Sequence, residues 1–133
     1  SGTTGWLAGY VAMPPGWIPI TLGQDSLDIN PPGGAEFKPP VMNSRADLVA
    51  VFDQNVKQAR SALAAATDEQ LTKPWTLLSA GQKLFTMPRI AVLRGFVMNH
   101  LIHHRAQLTV YLRMNNVPVP ALYGPSADEN PFA

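Results

Sequence analysis

Apolar side chains recur from Thr4 to Ile20 at Trp6, Leu7, Tyr10, Val11, Met13, Trp17 and Ile20, with spacings mostly of three and four that suit one face of a helix. Pro14, Pro15 and Gly16 interrupt that pattern and predict a kink or break near Met13, because proline removes a backbone donor and clashes with the preceding turn. From Leu22 to Val41 the chain turns to Pro, Gly, Asp and Asn, including Pro31, Pro32, Gly33, Gly34, Pro39 and Pro40, a loop composition to which no regular structure is assigned. Ser44 and Asp47 then form an S-x-x-D start signal, followed by Val49, Phe52, Val56, Ala59 and Leu63 at helical spacing up to a turn at Thr67 to Gln70. Lys73 to Met87 mixes Pro, Gly and β-formers over too short a span for a full helix and reads as a hairpin or irregular crossover. The last helix is expected to start at Thr86 to Pro88 and run to about Asn115, with Pro118 and Pro120 stopping it. Its stripe of Ile90, Leu93, Val97, His100, Leu101, His104, Leu108, Tyr111 and Leu112 embeds two histidines in the face turned to the core.

Those histidines are the candidate chemistry. His100 and His104 are four residues apart, about 40° around a helix with one turn of rise, so both imidazoles can converge on one divalent ion. The alternative is a pair of core histidines satisfied by hydrogen bonds. His103 lies on the other side of His100 and is expected at the surface or behind the ligands, while Arg105 follows His104 and is placed to meet a substrate carboxylate or Asp128. A carboxylate ligand would have to come from Asp25 or Asp28 in the loop or Asp128 in the tail, and Arg94 and Arg105 should keep the imidazoles neutral.

Composition narrows the partners. The 133 residues fit a single domain, residues 1–133. Ten Lys plus Arg against nine Asp plus Glu leave a net charge of +1, which gives no field for nucleic acid. Carboxylates are absent from Gln70 to Ala127, where six basic residues and all three histidines lie, a distribution compatible with an anionic small-molecule substrate. No apolar run reaches the roughly 18 to 20 residues of a membrane span, and no signal peptide is visible at Ser1 to Trp6, so a soluble, cytoplasmic protein with no membrane partner is expected. With no cysteine there is neither a disulfide nor a thiolate ligand.

Asn99 to Glu129, NHLIHHRAQLTVYLRMNNVPVPALYGPSADE, resembles the C-terminal signature of the DinB/YfiT-like family: an H-x-x-x-H-R helix, then YLR, a VPVP turn and YGPS. Gly5 to Leu22, GWLAGYVAMPPGWIPITL, is similar to the family's second helix, where a metal-binding histidine normally precedes a PGW segment. The resemblance implies an all-α fold, a four-helix bundle of up-down-down-up type with long loops, whose first helix has no counterpart in this chain. It also implies a homodimer and a divalent metal, nickel or zinc, held by three histidines in a surface cleft. Two of the three fall on His100 and His104; the third falls on Tyr10. A phenol, with an ordinary pKa of about 10, is a poor ligand until it loses its proton, so two histidines and water would hold the ion more weakly. Characterised members resemble metal-dependent transferases that activate a low-molecular-weight thiol, which makes Tyr10, Arg105 and His103 cleft neighbours of a site for that chemistry. A non-catalytic bundle that has lost the metal site and serves binding or dimerisation is the other expectation.

Overall fold

The computed structural model describes residues 3–34 and 40–132, so part of the Leu22 to Val41 loop expectation, 35–39, lies outside the described residues. Helix α1 spans Thr4–Ala12, and the proline pair then folds as a single 3-10 turn, Pro14–Gly16, that leads into α2, Trp17–Gly23. The break near Met13 is therefore a corner between two helices. The long helix α3, Arg45–Ala65, starts at the expected capping box: Ser44 Oγ accepts from the Asp47 N–H, while the Asp47 carboxylate accepts from the Ser44 N–H. A second capping box, Thr67 with Gln70, begins the short α4, Asp68–Thr72.

The all-α, four-helix-bundle expectation is overturned by a three-stranded mixed sheet. Strands β2, Pro74–Ser79, and β3, Gln82–Pro88, pair antiparallel, and β1, Ser26–Asp28, joins β2 in parallel. The loop expected to lack regular structure thus contributes a strand. Thr, Trp, Leu and Phe alternate between the faces of β2 and β3, so Trp75 and Leu77 are buried while Thr76 and Thr86 meet on the opposite face, hydroxyl to hydroxyl at 2.8 Å. The hairpin turn places Ala80 and Gly81 at φ of 50° and 74°, the primed geometry whose twist suits a two-residue connection. Alanine resists that conformation, and Asp28 holds the turn from outside. Its carboxylate accepts from the Asn30, Ala80 and Gly81 N–H groups at 2.9, 3.1 and 2.7 Å. Removing these acceptors in Asp28→Ala is expected to destabilise the protein by about 1–2 kcal/mol; urea unfolding checks this, with no change in midpoint as the contrary result.

Sheet and helices share the core through Trp17. One cluster gathers Ile18, Ala59, Leu93 and Val97, joining α2, α3 and the last helix, and the other gathers Trp75, Leu77 and Val92 under Ile20, Leu27 and Phe85. Trp17 packs against both. Arg89 is buried at the seam. It donates to the Gln24 carbonyl and pairs with Asp25 at 2.7 Å, fixing the end of α2 to the start of the last helix.

The last helix runs from Arg89 to Met114, ending as expected but starting after Thr86 to Pro88, which close β3, and it is not uniform. It comprises α5, Arg89–Val92, a π-helical segment, Leu93–Asn99, and α6, His100–Met114. Asn116, at φ 58°, ends it in the left-handed conformation, with its N–H on the Arg113 carbonyl and that of Val117 on the Leu112 carbonyl. The apolar stripe is buried at Leu93 and Val97, beside the buried Val92, whereas no residue of α6 is fully buried. Ile90 on α5 and Tyr111 on α6 are exposed, and α6 packs mainly on α1. Among the described residues no helix is long and apolar enough to cross a membrane.

Candidate functional site

The π-helical segment delivers His100 to the site. At its end the His100 N–H meets the Val97 carbonyl, and the Phe96 carbonyl, the partner in a regular α-helix, is met by His100 Nδ1 at 3.2 Å. One turn later His104 projects from the same face, and its Nε2 lies 2.8 Å from His100 Nε2. The ring centroids are 4.6 Å apart. On its far side, His104 Nδ1 faces Gln107 Oε1 at 2.8 Å. Each Nδ1 thus has an oxygen partner, and the two Nε2 atoms point at one another.

The third position belongs to α1. The Tyr10 ring lies 4.8 Å from that of His104 and 6.4 Å from that of His100, with Trp6 stacked behind it at 4.4 Å. Residue 10 therefore faces the pair. His103 is exposed and sets its ring edge against His104 at 5.0 Å. Arg105 turns to the tail, where its Nη2 donates to the Tyr123 hydroxyl at 2.6 Å and its guanidinium carbon sits 5.1 Å from that ring's centroid. Its Nε is buried without a partner. Asp128, the other partner considered for Arg105, pairs with Arg113 and accepts from the Val119 N–H.

The carboxylates considered as ligands are used elsewhere, Asp25 on Arg89, Asp28 at the hairpin turn and Asp128 on Arg113. Among the described residues no three His, Cys, Asp or Glu side chains gather to share an ion. Protonation of His100 is disfavoured: burial holds its pKa below the ordinary imidazole value, His104 and then His103 add to the lowering, and the Phe96 carbonyl opposes it. Desolvation and neighbouring imidazoles are the causes, in place of the expected Arg94 and Arg105. The neutral form keeps a lone pair on Nε2.

A divalent ion fits the pair but not the full family set. Two imidazole nitrogens suit nickel or zinc, and two donors about 2.0–2.1 Å from one ion lie ~2.9 Å apart at a right angle and ~3.3 Å apart in a tetrahedron. The observed 2.8 Å is close to the first of these separations. The side chain that α1 brings to the third position, Tyr10, is a phenol and not a third imidazole. Beside the pair, an apolar groove runs between α1, α3 and α6, lined by Val11, Leu48, Val49, Phe52 and Leu108, the last one turn beyond His104.

Gln107, the Phe96 carbonyl and Tyr123 were not legible as site groups from residue types. Gln107 alone left a signal, its place three residues after His104 on one helix face.

A family model described as DinB family matches residues 7–130. No curated protein and no solved structure matches the chain.

Proposed function

This chain belongs to the DinB family, and we propose that His100 and His104 hold a divalent ion, nickel or zinc, at which a small-molecule electrophile is joined to a low-molecular-weight thiol. The convergence of the two Nε2 atoms at 2.8 Å, with each Nδ1 occupied by an oxygen, is the observation that carries this reading. It is the arrangement of two ligating imidazoles whose outer nitrogens are held by acceptors. An ion so held would lower the pKa of a thiol at an open coordination position.

The chain's own residues supply the rest. Tyr10, with Trp6 against it, forms an aromatic wall beside the pair. Arg105 has no carboxylate partner among the described residues, unlike Arg89 and Arg113, and can turn from the neutral Tyr123 hydroxyl to an anionic group of the substrate. The apolar groove beyond His104 suits an apolar portion of the same molecule.

Tyr10 at the third position favours a second reading, a family member that has lost the metal site and binds a small molecule or a second copy without metal chemistry. Nickel and zinc titrations of wild-type protein and His100→Ala, followed by calorimetry, separate the two. Under the metal reading, wild type binds one ion per chain and His100→Ala loses that binding; equal behaviour of the two proteins favours the second.

A further inference from the structure

Gln107 is exposed on α6, yet its side chain is not free: Oε1 sits 2.8 Å from His104 Nδ1. An amide oxygen only accepts, so in this orientation of the amide Nδ1 carries the ring proton and Nε2 is left with a bare lone pair. The Phe96 carbonyl imposes the same tautomer on His100. With that tautomer on both rings no proton lies between the two Nε2 atoms, whose 2.8 Å separation is a hydrogen-bond distance, so the contact is completed either by a shared cation or by moving a ring proton to one Nε2.

We propose that Gln107 is a positioning residue that selects the tautomer of His104 and so turns its Nε2 into a metal donor. The inference rests on the reading of the pair as a divalent-ion site. An amide has a further property here. Turned end for end, it donates its N–H to Nδ1, the ring proton moves to Nε2, and His104 donates to His100. That closes a neutral chain of hydrogen bonds from Gln107 through both rings to the Phe96 carbonyl. Glutamine therefore serves the ion-free and the ion-bound pair, whereas a carboxylate, which only accepts, serves the ion-bound pair alone.

Zinc affinity, measured by competition with a chromophoric chelator, is compared among wild type, Gln107→Leu, Gln107→Glu and His100→Ala, and nitrogen-proton spectra locate the ring protons in the zinc-loaded protein. Gln107→Leu is expected to bind zinc about 10- to 100-fold more weakly, Gln107→Glu at least as tightly as wild type, and the His104 proton to sit on Nδ1. Equal affinity in wild type and Gln107→Leu, a weaker Gln107→Glu, or a proton on Nε2 overturns the role of Gln107 while leaving the site standing. A wild type indistinguishable from His100→Ala overturns the metal site and this inference with it.

Discussion

Replacing Trp75 by alanine is expected to cost about 3–5 kcal/mol, the range for emptying a large aromatic site in a core. Trp75 has no exposed surface and sits between Trp17, at 6.5 Å between ring centroids, and Phe85, at 6.3 Å. It forms the buried cluster with Leu77 and Val92, and Trp17 belongs to the edge of both clusters. Its loss would therefore loosen the sheet from the helices as well as leave a cavity. Domains of this size have about 5–15 kcal/mol in all, so the melting temperature should fall on the order of 10–20 °C. Leu84→Ala on the same hairpin, where the side chain is 55 % exposed, should change it little. A Trp75→Ala protein that unfolds within a few degrees of wild type would mean that the sheet contributes little to the core.

Tyr10→His is expected to raise zinc affinity at least about tenfold, a gain of about 1.4 kcal/mol. The Tyr10 ring faces both imidazoles, most closely His104 at 4.8 Å, so an imidazole at position 10 starts from the correct side of the pair. It would add a neutral nitrogen donor where the phenol needs to lose a proton. Tyr10→Phe keeps the ring and removes the hydroxyl, and its affinity should match wild type. The check is the same chelator competition on all three proteins. No gain in Tyr10→His would place the third coordination position elsewhere, and a loss in Tyr10→Phe would make the phenol oxygen a ligand after all.

The helices were readable because each carried its own local signal. Ser44 and Asp47 announced α3, and Asn116 and the following prolines announced the end of α6. The hairpin at Lys73 to Met87 was readable in kind, from β-formers around a Gly-containing turn, but its partner was not. β1 is three residues long in a segment of turn formers, and it is a strand because β2 offers an edge and Asp28 is drawn to the Ala80–Gly81 turn. That pairing spans about fifty residues of sequence and leaves no local periodicity. The all-α expectation failed there, since it weighed helix signals and had no means of seeing a parallel contact.

At the site, helical spacing brought His100 and His104 to notice, and resemblance to a family singled out position 10. The groups that hold the rings were hidden for a physical reason. A backbone carbonyl such as that of Phe96 has no residue type to read, yet it is the group that meets His100 Nδ1 at the end of the π-helical segment. Arg105 shows the reverse case: an acid in the tail was a plausible partner by charge, but Arg113 takes Asp128 and leaves Arg105 to a tyrosine.

The central claim is that the two Nε2 atoms form a divalent-metal site, and anomalous diffraction from crystals grown with zinc or nickel tests it most directly. The account predicts one strong peak between the rings of His100 and His104, about 2.0–2.2 Å from each Nε2, with water completing the coordination. A map with no peak there at millimolar metal, or with the ion bound by other side chains, would contradict it.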